Sequence, residues 1–140
     1  MGMYTKICLD LKFKENLPLE VVEALKVLVG EADGNLYTRS DFPDHEFFNS
    51  NRWDFMLRCS SFYHTPFSFA QLNYSDISKQ YYLTSSSDFK NYDNEVELFF
   101  DFVKDYVKDG YLGYSLYEED IVPTQYFLQD GKIVKLINNI

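Results

Sequence analysis

A chain of 140 residues with 12 Tyr and 13 Phe, 46% hydrophobic overall, has the length of one domain and too many aromatic rings for a disordered acidic chain. Its net charge of −9 divides as 7 basic and 10 acidic groups over residues 1–70 and 6 and 12 over 71–140, a surface that repels phosphate backbones and anionic membranes. We therefore expect no direct nucleic-acid partner and no membrane association, and the absence of any apolar run near ~20 residues agrees with that.

The opening MGMYTKICLDLKFKE has no apolar signal segment, and Lys6 breaks the myristoylation pattern, so a cytoplasmic location is expected. Within it, KICLDLKFK alternates: Ile7, Leu9, Leu11 and Phe13 point one way, Lys6, Cys8, Asp10 and Lys12 the other. Period two over that length predicts a strand with one face on a core. NLPLEVVEALKVLVG then predicts a helix, with Pro18 in the first turn, Val21, Ala24, Leu25 and Leu28 as its apolar stripe, and Gly30 as the stop. Residues 31–52, rich in Asp, Gly, Asn and Ser, read as a long loop that either contains a helical turn or serves a function.

From residue 53 onward three strands are expected, in DFMLRCSS, FSFAQLNY and KQYYLTSS, with turns at SFYHTP and NYSDISK. Cys8 and Cys59 lie in separate strand-like runs and read as free, buried thiols. A second helix is expected in NYDNEVELFFDFVKDYVKDG, capped by Asn91 or Asp93, with Val96, Phe99, Phe100, Val103 and Val107 inward and Gly110 ending it. Three more strands follow, near 111–117, 123–129 and 132–137, and Asp-Gly in QDGKI marks a type I′ hairpin between the last two. Glu118, Glu119 and Asp120 then fall at a strand connection, where a solvated charged tip is the simpler reading than a metal or catalytic cluster.

These elements define one domain, 1–140, of the α+β class: a two-layer fold with a largely antiparallel sheet and two helices on one face, ferredoxin-like or related, in the order β-α-β-β-β-α-β-β-β. Catalytic signals are sparse. There is no phosphate loop, nucleophile elbow, HExxH, CxxC or GxGxxG, so no catalytic residue, cofactor or metal is assigned and a non-enzymatic role is favoured. Asp41, Asp44, His45 and Glu46 crowd together in DFPDHEFF, yet read as a polar loop; His64, in FYHTPF, reads as a packing or turn residue.

The informative excess is Tyr on strands: Tyr63, Tyr74, Tyr81, Tyr82, Tyr111, Tyr114 and Tyr117. Tyr hydroxyls want a partner or water, so a wet sheet face, groove or subunit interface is indicated. MYTKICLDLKFKENLPLEVVEALKVLVG, NRWDFMLRCSSFY, DFKNYDNEVELFFDFV and GYLGYSLYEEDIVPTQYFLQDGK together resemble a group of small acidic proteins of low-GC bacteria and their phages. That resemblance implies a cytoplasmic, phage-type protein and carries no assigned activity.

Three functional expectations follow. The first is an interaction protein that self-associates, as a homodimer or higher oligomer, through a Tyr-rich sheet face or edge, or binds another protein there. The second is an acidic decoy for a host nucleic-acid-binding or defence protein, motivated by seven acids (Asp88, Asp93, Glu95, Glu97, Asp101, Asp105, Asp109) against three lysines over residues 88–109. The third is a pocket for a nucleotide-like small molecule, with Lys6, Lys12, Lys14, Arg39, Arg52 and Arg58 as the basic groups to hand. For ligand or partner binding the candidate residues are His45, Arg52, Trp53, Tyr114 and Tyr117.

Overall fold

A computed structural model describes residues 3–61 and 67–137 of the chain. The order is β1 (Thr5–Lys12), α1 (Leu19–Val29), β2 (Phe69–Ser75), β3 (Gln80–Phe89), α2 (Glu95–Val103), β4 (Gly110–Tyr117), β5 (Thr124–Gln129) and β6 (Lys132–Ile137). The molecule is α+β: the six strands form one open sheet in the order β2-β3-β1-β4-β5-β6, with every neighbouring pair antiparallel.

The alternation in β1 sets the two sides of this sheet. Ile7, Leu9 and Leu11 are buried and oppose Ser87, Ser85 and Leu83 of β3, so these residues share one face. The inner stripes of both helices, Val21, Ala24, Leu25 and Leu28 from α1 and Val96, Phe99, Phe100 and Val103 from α2, join that face in one hydrophobic cluster. The other face, carrying Lys6, Cys8, Asp10 and Lys12, has neither of the two helices on it among the described residues.

Local rules account for the element ends. Gly30 takes φ +85° after α1, and its own N–H and that of Glu31 return to carbonyls of the last turn, the geometry a left-handed cap provides. Asp130 and Gly131 have φ 53° and 77°, the double positive φ of a type I′ turn, which fixes the β5–β6 hairpin.

Two sequence expectations are corrected. DFMLRCSS is not a strand: Trp53–Phe55 is a 3-10 turn and residues 56–58 continue it. Trp53, Met56 and Leu57 are all buried, a spacing of three and four that belongs to a helical turn and not to alternation. The order is therefore β-α-β-β-α-β-β-β, one strand shorter than expected.

The second helix is also shorter than expected. It begins at Glu95, and after Val103 the chain turns so that Val107 bridges Phe13 and Lys108 N–H donates to the Lys12 carbonyl. Pairing with the end of β1 thus ends the helix well before Gly110. Neither expected cap has its simple form. The residue before the helix is Asn94, at φ 62°, while Asn91 Oδ1 accepts from Val96 N–H and the buried Glu95 accepts from Asp93 N–H. Both cysteines are free, as expected, but half-buried; Cys8 lies on the open face and donates to Ser86 Oγ at 3.5 Å.

Residues 34–55 supply core in place of a lid. Three short 3-10 turns, Gly34–Leu36, Arg39–Asp41 and Glu46–Asn49, lead into the turn at Trp53. Phe42, Phe47, Phe48 and Trp53 form an edge-to-face cluster that packs on Phe99 and Phe102 of α2. Arg39 staples this segment by donating to Asn49 Oδ1 and to the carbonyls of Pro43 and His45. The turn expected at SFYHTP, with Tyr63 and His64, lies outside the described residues.

Candidate functional site: the open face and the β6 edge

The candidate residues separate into two groups. His45, Arg52 and Trp53 belong to the segment that packs on α2 and β3. His45 Nδ1 accepts from Phe47 N–H, so the ring proton sits on Nε2, which donates to Asp101 Oδ2 at 2.8 Å. Lys104 first, and His45 second, hold the Asp101 carboxyl below its ordinary range. Arg52 lies over the Phe89 ring at 5.1 Å, and Trp53 is buried among Phe42, Phe47 and Phe48. Each of these side chains makes contacts that fasten a loop.

Tyr114 and Tyr117 lie three residues apart on β4 and therefore on opposite faces. Tyr117 opposes Thr5, and Gly113 and Ser115 share its side, the helix side. Tyr114 opposes Cys8 on the open face. A hydrogen bond with Cys8, burial and the charge of its neighbours push the Tyr114 phenol up to about 12. Glu118 clasps Tyr4, accepting from its N–H through Oε1 while its own N–H donates to the Tyr4 carbonyl; Glu119 and Asp120 are exposed. Among the described residues no group of three or more His, Cys, Asp or Glu side chains could hold a metal ion.

The open face is itself divided. Toward β2 and β3 it is mostly polar, presenting Gln71, Asn73, Thr84 and Ser86 with Asp10 and Lys12 of β1, together with Tyr82 and an exposed Phe69 at the start of β2. Toward β6 it turns apolar: Tyr111 opposes Phe127, which opposes Val134, and the Tyr111 and Phe127 rings meet edge-to-face at 5.4 Å. One rung further, Tyr114, Gln125 and Leu136 stand in line. Tyr111, Val134 and Leu136 keep 42%, 40% and 46% of their surface. A shallow cavity of about 530 Å³ lies along Phe127, Val134 and Leu136.

This ladder ends at β6, which among the described residues pairs with β5 alone, so that no described strand meets its outer row of backbone groups. Its sequence, KIVKLI, holds two lysines and no acid. Sequence reasoning singled out Tyr111 among the strand tyrosines but missed its neighbours Phe127, Val134 and Leu136, although the alternating YFLQDGKIVKL pattern around the hairpin contained the signal. Aliphatic residues on both faces of a terminal strand leave an apolar edge whose only charged side chains are Lys132 and Lys135.

The seven acids over 88–109 do not form one exposed stripe. Asp88 and Glu95 are fully buried, Glu97 receives Tyr126 and Lys135, and Asp101 receives His45 and Lys104. The six basic residues expected to be available for a ligand do not gather in one place: Lys6 and Lys12 stand on the open face, Lys14 lies at the cleft by the start of α1, and Arg39, Arg52 and Arg58 lie over Phe48, Phe89 and Phe55. No helix among the described residues is long and apolar enough to cross a membrane. Comparison with protein-family models, curated proteins and solved structures found no match to this chain.

Proposed function

We propose that the chain is a non-enzymatic interaction protein that assembles with a second copy of itself through the β6 edge and the adjoining apolar half of the open face. The observation that carries this reading is the uncovered Tyr111–Phe127–Val134 ladder running to an unpaired edge strand. Net charge explains why the partner copy approaches there. Two chains of −9 repel over much of their surface, and β6, a strand with Lys132 and no acid whose Lys135 is paired with Glu97, lowers that repulsion locally.

Symmetry restricts the register of such a pairing. A two-fold axis through an antiparallel strand pair leaves each residue on its own face, so partners differ by an even number of positions. Centring on Lys135 sets two ammonium groups directly opposite, which is destabilising. Centring on Val134 sets Val134 against its copy and Lys132 against Leu136, and the two sheets become one. The chain order from β1 to β4, with neighbours β2-β3-β1-β4, supports a ferredoxin-like unit to which the β5–β6 hairpin adds the binding edge.

Hydrogen exchange on a dilution series tests the pairing directly. Peptides covering 130–137 are expected to gain protection as concentration rises, while those covering β2 do not change. Exchange in β6 that is fast and independent of concentration would contradict it.

A further inference from the structure

On the opposite side of the molecule from the apolar ladder, the end of α1 nearest Pro18, the loop between β1 and α1 and the tip of the β2–β3 hairpin enclose a cleft of about 510 Å³, within the size range of small-molecule sites. Its lining includes Lys14, Lys26 and Lys79 together with Tyr74 and Tyr81, whose rings meet at 4.8 Å. We propose that this cleft binds a planar aromatic anion, a ring carrying a phosphate, of the size of a nucleoside monophosphate.

Three observations carry the inference independently of the dimer. The first is charge: three of the 13 basic residues of a strongly acidic chain meet at one cleft, where Glu15 is the one acidic residue of the lining. The second is that two of these cations lack a strong partner. Lys79 makes no ion pair among the described residues, and Lys14 reaches only the Asp105 carbonyl at 3.4 Å, while Lys26 stands 3.8 Å from Glu23. The third is the wall chemistry. Tyr74 and Tyr81 lie opposite each other on the helix side of β2 and β3, and Tyr74 remains 48% exposed beyond the end of the core, so an aromatic face is open to stacking.

The hairpin tip is also held in an unusual shape. Lys79 has φ 60°, a conformation that turns normally give to Gly or Asn, and its N–H donates to the Ser75 carbonyl at 2.8 Å. This fixes the backbone from which Lys79 and Tyr81 project along one wall. Leu17, Leu19 and Val22 form the apolar opposite wall. A phosphate at the lysines and a ring between Tyr74 and Leu19 would use both chemistries; inorganic phosphate would use one.

Amide NMR titrations of the full chain with adenosine monophosphate, adenosine and inorganic phosphate test the assignment. The monophosphate is expected to shift resonances of residues 14–26 and 74–81 to saturation, and Lys14→Glu/Lys79→Glu to weaken it by roughly tenfold or more. Phosphate alone and adenosine alone are each expected to bind more weakly than the monophosphate. Tyr74→Ala, at an exposed ring, is expected to weaken the monophosphate and leave inorganic phosphate unchanged. No saturable shift, shifts confined to another face, or equal affinity for adenosine and the monophosphate would overturn the proposal. Val134→Arg in the same titration separates the two readings, since loss of self-association leaves this cleft intact.

Discussion

Tyr126 is the side chain that ties most elements together. Ser115 of β4 donates to its oxygen, its own hydroxyl donates to Glu97 Oε1 of α2 at 3.0 Å, and the other Glu97 oxygen receives Lys135 of β6 at 2.6 Å. Its ring stacks on Phe100 at 3.9 Å and is almost fully buried. Burial, with the Glu97 carboxylate adding to it against the Ser115 bond, pushes the phenol from 10.0 up to about 12. The neutral form is therefore the one the fold favours. Its contribution to stability is complete below pH 10.0 and is lost as pH rises from there through about 12. Tyr126→Phe is expected to cost about 1–2 kcal/mol at neutral pH and to flatten part of the alkaline loss, as read from denaturant midpoints across the pH series. An unchanged alkaline slope would remove Tyr126 from this role.

At the scale of elements, the β1–β4 pairing depends on Gly113. A β-carbon there would lie 2.1 Å from the Cys8 carbonyl oxygen, and its φ of 141° is one that other residues rarely adopt. The register shift between Tyr111 and Gly113 accompanies this approach and lets Leu112 enter the core. Gly113→Ala is expected to destabilise the chain by more than ~2 kcal/mol, measured by urea unfolding. A variant of unchanged stability would mean that β4 can move away from β1 without cost.

Elements with a clean period were legible in the sequence. β1 alternates over its whole length, α1 runs between Pro18 and Gly30, and Asp130-Gly131 has one common conformation between strands. The segment after Trp53 was misread because the short apolar run Phe55, Met56 and Leu57 in DFMLRCSS fits a strand and a helical turn alike, and only packing on α2 and β3 decides between them. The length of α2 was misread because Val103, Tyr106 and Val107 continue a helical stripe, and pairing of Val107 with Phe13, a contact distant in sequence, overrides it. Of the candidate site, the aromatic excess on strands was legible, but which rings share the open side was not. That depends on the order β2-β3-β1-β4-β5-β6 and on the shift at Gly113, neither of which a local pattern encodes.

For the whole molecule, covering one side of a six-stranded sheet with two helices and a loop segment leaves the other side to water or to a partner. The mostly polar surface over β2, β3 and β1, with Phe69 and Tyr82 as isolated rings, suits water, whereas the continuous run of Tyr111, Phe127, Val134 and Leu136 suits a partner. The fold therefore separates two surfaces: an apolar edge, the proposed meeting place of two chains, and, on the helix side, a lysine- and tyrosine-lined cleft at the far end of the sheet order. Sedimentation velocity of the native chain and of Val134→Arg tests the central claim most directly. The account predicts a dimer of the native chain at tens of micromolar (about −6 to −7 kcal/mol of association) and a folded monomer for the variant. A native chain that stays monomeric at high concentration, or a dimer that the arginine leaves intact, would contradict it.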